Sequence, residues 1–128
     1  MKYIHQKGAV IRYLNDNSIL CDENYEPKIS DIKYLVPNKT IIDVEEGVVG
    51  DPLTMAPEII GGGDYYDFSS DVYSYGLFLY RFFTNKIRFD DYIQPRSAQN
   101  YMMKIYQGKR PKRPENIPDP YWDLIKRC

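Results

Sequence analysis

Between Ser69 and Thr84 the chain reads SSDVYSYGLFLYRFFT, and nine of the twelve side chains from Val72 to Phe83 are aliphatic or aromatic. On a helix these positions fall on every face. A surface helix keeps a polar stripe, so a helix apolar all round is a buried one. The run is long for a strand and does not alternate. It predicts the central helix of a helical subdomain. Ser69 or Ser70 is placed to accept from the first free N–H groups, Asp71 suits the positive end, and Asn85 is the stop.

Elsewhere the pattern is more broken. Met1–Gly8 reads as the last turns of a helix ended by Gly8. Ala9–Arg12 and Ile19–Cys21 are short β-type runs flanking a polar loop, YLNDNS. Asp22–Pro27 has turn chemistry, and Lys28–Ile32 reads as another short strand. From Asp31 to Gly50 no period is sustained, which predicts a long excursion of the functional kind. Pro57 suits the first turn of a short PEII helix broken by Gly61-Gly62-Gly63. IRFDDYIQPR, residues 87–96, reads as a loop. Ser97 caps a helix to Tyr106, with Tyr101, Met102, Ile105 and Tyr106 on one face and Gly108 as its end. KRPKRPENIP is extended, and Asp119-Pro120 opens a last helix through Tyr121, Leu124 and Ile125. The fold class is mainly α with short β-hairpins, in one domain spanning residues 1–128.

Composition narrows the function classes. Charged residues make up 27% and hydrophobic ones 43%, and the formal net charge is −1. That balance suits a globular domain and points to no nucleic-acid partner. KRPKRP carries four cations, but Pro interrupts it and no aromatic residues interleave to stack bases. No apolar run approaches the roughly 18 residues of a membrane span. Cys21 and Cys128 lack metal-ligand spacing and read as free thiols of a reducing, cytoplasmic environment. His5, the single histidine, reads as a packing or surface residue. Trp122 and Tyr121 are placed to dock the last helix onto the central one.

In this order the pieces MKYIHQKG, SILCDENYEPKISD, DPLTMAPEII, SSDVYSYG and YWDLIKRC resemble the C-terminal lobe of a eukaryotic protein kinase, closest to the tyrosine-kinase-like group. The resemblance covers nearly the whole chain. It implies a phosphoryl-transfer fold using ATP and magnesium, preceded by an N-terminal lobe and followed by further helix, so the chain is expected to be a truncated domain. A helix stub before Gly8 would then leave Leu77, Phe78 or their neighbours partly exposed and the fold marginal.

Phosphoryl transfer needs a carboxylate to orient the attacking hydroxyl and oxygen ligands to hold magnesium against the phosphates. The catalytic loop of the family reads His-Arg-Asp-Leu and, four residues on, Asn. Here it reads Ile11-Arg12-Tyr13-Leu14, then Ser18. Tyr13 stands at the base position, and a phenol with a pKa of about 10 does not replace an aspartate at neutral pH. Loss of a positioned base costs about 10²–10⁴-fold in rate. Ser18 stands at the second magnesium-ligand position, and Asn15 replaces a lysine usual in serine/threonine-directed members. Asp-Phe-Gly of the family is Asp31-Ile32-Lys33. Asp31 is either a magnesium ligand or a solvated loop carboxylate. Ile32 can still pack as an apolar plug, and Lys33 gives up a glycine's freedom at positive φ but can pair with Asp31.

Architectural residues fare better in the resemblance. Ala56-Pro57-Glu58 matches the end of the activation segment, where the partner expected for Glu58 lies beyond Cys128. Asp71 matches an aspartate that braces the catalytic loop; helix capping is its plainer role. Arg12 matches the arginine that in active relatives receives a phosphorylated residue, for which Tyr34, Thr40 and Thr54 are the available hydroxyls. These features imply a catalytically inactive, pseudokinase-like fragment, with no cofactor expected for this chain although the family uses ATP and magnesium. Two other expectations stand beside it: an interaction module that binds protein partners beside the Ser97–Tyr106 helix, or a section of a longer ATP-dependent protein kinase.

Overall fold

A computed structural model describes residues 1–43, 45, 47–86 and 97–128 of the chain. Among them, α1 (Lys2–Gln6) leads into β1 (Ala9–Val10), and β2 (Ile19–Cys21) and β3 (Pro27–Ile29) form a hairpin. β4 (Val36–Pro37) returns to pair with β1, with Val10 opposite Val36. β5 (Thr40–Ile41) pairs with β6 (Tyr65–Tyr66), Thr40 opposite Tyr66. All three pairs are antiparallel and two-stranded. α2 (Pro57–Ile60), α3 (Phe68–Thr84), α4 (Ala98–Tyr106) and α5 (Asp119–Arg127) complete the described elements. The predicted loop at 87–96 lies outside the described residues.

α3 is the helix expected from SSDVYSYGLFLYRFFT, with its start moved back. Asp67 is the N-cap, its carboxylate accepting from the Ser69 N–H at 2.8 Å and from the Ser69 hydroxyl. Ser70 turns its hydroxyl onto the Asp67 carbonyl at 2.7 Å instead of capping. At the far end Asn85 adopts the left-handed conformation (φ 53°) and donates to the Arg81 carbonyl at 2.7 Å, which is the stop the sequence predicts. Gly8 ends α1 at φ 76°, a backbone that favours glycine.

Burial around α3 is one-sided, contrary to the expectation of a helix enclosed all round. Ser70, Asp71, Ser74, Gly76, Leu77 and Tyr80 are buried, whereas Phe82 is 72% exposed. Of Leu77, Phe78 and their neighbours, expected to be partly exposed, Leu77 lies in the interior, while Phe78 is half-buried and Phe82 faces solvent. Gly76 lets the end of α5 approach: a Cβ there would stand 2.6 Å from Cys128 Cβ. Tyr80 packs with Ile117 and Ile125, and Trp122 joins them as the sequence anticipates. A second cluster joins Val10, Met55, Ala56, Ile59 and Tyr66. Tyr101 and Ile105 of α4 are 2% and 1% exposed and pack on Leu53, Ile60 and Tyr73. They hold α4 to the domain, each burial worth about 1.5–3 kcal/mol, so these two side chains face the core and not solvent.

Other expectations shift locally. The strand foreseen at Lys28–Ile32 ends at Ile29, because Ile32–Tyr34 forms a 3₁₀ turn. The stretch from Asp31 to Gly50 is not structureless, since it supplies β4 and β5. Neither short strand has enough residues to show a period.

Asp67 carries a testable load. Its carboxyl is held below its ordinary 3.8 by the Ser69 hydroxyl first, then by Lys39 and the Ser69 N–H, while partial burial opposes them. A depressed folded-state value means that its contribution is complete above the ordinary carboxylate range and is lost as pH falls through the folded value. Asp67→Ala is expected to lower the urea-unfolding free energy by about 1 kcal/mol at pH 7. The difference from the parent should shrink steadily as unfolding is repeated from pH 5 downward.

Candidate functional site

Asp71 sits in the first turn of α3 with 1% of its surface exposed. Its side chain does not cap the helix. Oδ2 accepts from the Ile11 N–H at 2.8 Å and lies 2.8 Å from His5 Nε2, and Oδ1 accepts from the Arg12 N–H at 3.0 Å. Of the two readings left open for Asp71, this geometry is loop bracing. His5 is more than a packing residue, although its ring also stacks on Phe68 at 4.6 Å.

The braced loop holds a strained residue. Arg12 has φ 63°, which costs a non-glycine residue on the order of 1–3 kcal/mol. Three contacts hold it there: the Asp71 carboxylate on its N–H, its own Nε donating to the Tyr34 carbonyl at 2.7 Å, and its guanidinium 5.1 Å from the centre of the Tyr66 ring. Two residues further, the Leu14 carbonyl accepts from the Thr54 hydroxyl at 2.8 Å, and the Thr54 carbonyl accepts from the Ser74 hydroxyl at 2.8 Å. Thr54 is 1% exposed, so it is a rivet between loop and helix and not an accessible hydroxyl. The Thr40 hydroxyl donates to the Pro37 carbonyl at 2.6 Å.

Tyr13 lies next to Arg12 with its ring stacked on Tyr34, centroids 4.7 Å apart and 23° between planes. Its phenol is pushed above its ordinary 10.0, first by burial and then by the negative charges of Asp51, Tyr34 and Asp31; Lys33 opposes them. A proton held that firmly stays on the oxygen at neutral pH. Asp51, which the sequence reading passed over, accepts from the Leu53 N–H at 2.9 Å.

Asn15 and Ser18 form a closed turn. The Asn15 side chain accepts from the Asn17 and Ser18 N–H groups at 2.8 and 3.1 Å. The Ser18 hydroxyl accepts from the Asn15 N–H and donates to the Asn15 carbonyl, both at 2.9 Å. Ser18 is 0% exposed. Its oxygen is engaged inside the turn. The Asn-x-x-Ser spacing of a reciprocal cap was the sequence signal for this arrangement.

Asp31 precedes the 3₁₀ turn and makes no side-chain capping bond. Ile32 is 63% exposed and plugs nothing. Lys33 does not pair with Asp31; its ammonium lies 4.8 Å from the centre of the Tyr34 ring, and its backbone is not at positive φ. No group of three or more His, Cys, Asp or Glu side chains among the described residues is arranged to hold a metal ion. At the family's two metal-ligand positions the chain therefore offers the Asp31 carboxylate but not the Ser18 hydroxyl, which is engaged within its own turn. Glu58 is exposed in α2 and pairs with no cation among the described residues. Its charge is felt at Tyr73, whose buried phenol is pushed up to about 12, first by burial. Arg110, 5.4 Å from the centre of the Tyr73 ring, opposes that shift.

A helix-rich chain with small antiparallel pairs and this bracing of the Ile11–Leu14 loop belongs to the protein kinase domain family, which matches residues 1–128. It is similar to dual serine/threonine and tyrosine protein kinases: 25% identical to that of Xenopus laevis, 26% to that of Pimephales promelas and 25% to that of Homo sapiens, in each case along 100% of this chain. The chain spans only 14%, 14% and 13% of the length of those relatives. No helix among the described residues is long and apolar enough to cross a membrane.

Asp71→Ala strands two backbone N–H groups and removes the partner of His5. It should cost about 3 kcal/mol in urea unfolding at pH 7. Asp71→Asn, whose amide oxygen still accepts, should cost clearly less.

Proposed function

We propose that this chain is the C-terminal-lobe part of a protein kinase domain of the tyrosine-kinase-like group, occupying residues 1–128, and that it transfers no phosphoryl group. The observation that carries the reading is Tyr13. At the position where the family resemblance sets the catalytic base stands a phenol stacked on Tyr34, with its pKa raised by burial and by neighbouring negative charges. Such a group does not accept a proton from an attacking hydroxyl near pH 7. Ser18 supports the same conclusion, since its hydroxyl is engaged by Asn15 and is withheld from the second metal-ligand position of the family. What the chain keeps is the brace, in which Asp71 holds the Ile11 and Arg12 N–H groups and Thr54 and Ser74 tie the loop to α3, and a fold so kept without its chemistry serves binding. ATP and magnesium belong to the family, and this chain is expected to use neither.

A second reading is favoured by the relatives' names and by their length. In it the chain is a section of a longer dual-specificity kinase whose other parts bring the nucleotide. Even there, Tyr13 at the base position predicts little or no turnover.

The purified chain, given radiolabelled ATP, magnesium and myelin basic protein, is expected to transfer no label above a protein-free control, and Asp31→Ala should leave that result unchanged. Magnesium-dependent transfer abolished by Asp31→Ala would overturn the proposal.

A further inference from the structure

Tyr66, in β6, is 3% exposed although its side chain ends in a hydroxyl. A buried phenol needs a hydrogen-bond partner, and this one has the backbone of a single residue. The Val49 N–H donates to the Tyr66 oxygen at 2.7 Å, and the hydroxyl donates to the Val49 carbonyl at 3.2 Å. The backbone of Tyr66 holds an earlier part of the chain. Its carbonyl accepts from the Lys39 N–H at 2.8 Å, and the residue stands opposite Thr40 in the β5–β6 pair. One residue therefore grips the chain at Lys39–Thr40 and again at Val49. Its ring makes the third grip, with the Arg12 guanidinium 5.1 Å from its centre. Beside Val49, Gly50 lies close against the Arg12 loop: a Cβ there would stand 3.4 Å from the Arg12 carbonyl oxygen and 2.9 Å from Met55 Cε.

A stretch of chain gripped by a residue that is already part of the core needs no added group to keep it in place. Phosphorylation orders a segment when the new phosphate finds a free arginine. Here Arg12 gives its Nε–H to the Tyr34 carbonyl and lies over the Tyr66 ring. The candidate hydroxyls are engaged too. Thr54 donates to the Leu14 carbonyl and Thr40 to the Pro37 carbonyl, and the Tyr34 ring is stacked on Tyr13.

We propose that Tyr66 is a built-in clasp that fixes Lys39–Thr40 and Val49–Gly50 to the Arg12 loop, so that these two points hold their places without phosphorylation. The hydroxyl is its closing part. The ring packs with Val10, Met55, Ala56 and Ile59 whether or not it carries an oxygen, whereas only the oxygen reaches the Val49 backbone. The clasp does not depend on whether the chain transfers phosphoryl groups.

The test is amide hydrogen exchange of the 128-residue chain and its Tyr66→Phe variant, read by mass spectrometry. The variant keeps the ring and its core contacts and removes one oxygen. Exchange across residues 47–51 is expected to quicken about tenfold, while the α3 amides, which report opening of the whole fold, keep their parent rates within about twofold. Thr40→Glu sets a carboxylate where a phosphate would be added. It should slow exchange over 47–51 neither in the parent nor in the Tyr66→Phe background. Unchanged exchange over 47–51 in Tyr66→Phe would overturn the proposal. An equal rise in α3 would do the same, because the hydroxyl would then support the fold at large and not this attachment. So would return of the parent rate when Thr40→Glu is added to Tyr66→Phe, because an added charge would then be what holds the segment.

Discussion

The Asp71 carboxylate is buried where an unpaired charge would be prohibitive, and its environment makes it useful there. Two backbone N–H groups of a loop sixty residues earlier and the His5 ring converge on its two oxygens. Removing those donors would leave a charge in the interior, and removing the charge would leave desolvated donors, so helix and loop hold each other. The Ile11–Leu14 loop inherits its position from this arrangement. Arg12 can occupy a backbone conformation that few residues adopt because the N–H it presents there is taken by Asp71. From Arg12 the constraint passes to Tyr34 through the guanidinium, and from Leu14 it passes through Thr54 back to Ser74 on the same helix.

Whatever depends on neighbours in sequence was legible before the structure. α3, its stop at Asn85, the end of α1 at Gly8 and the docking of Trp122 all follow from local pattern and local backbone preference. The failures have a common cause, which is that a composition of nine apolar residues in twelve says how much of a helix avoids water and nothing about which side its neighbours cover. Leu77 and Phe82 are equally apolar in the sequence, yet one faces α5 and the core while the other faces solvent. Tyr101 and Ile105 show the same limit in reverse, since a shared apolar face suits a groove as well as a core. The identity of Tyr13 was plain, but its stacking was not, because Tyr34 lies twenty-one residues away across an irregular stretch. Asn15 and Ser18 are the opposite case. Their mutual bonds are local, and the spacing alone could have disclosed them.

The replaced residues of the loop are well accommodated where they stand. Tyr13 gains a stacked partner, an arrangement worth about 0.5–1.5 kcal/mol beyond burial, and Ser18 satisfies its hydroxyl within a reciprocal cap. Carboxylates gathered to hold metal and orient a nucleophile repel one another and are costly to keep in a folded chain without their ligand. An aspartate at position 13 would add its charge to a site where Asp51 and Asp31 already act on the present phenol. The present residues remove that repulsion. With Tyr13 stacked and Ser18 capped, the loop carries no further charge, while the Asp71 brace beneath it fixes its backbone.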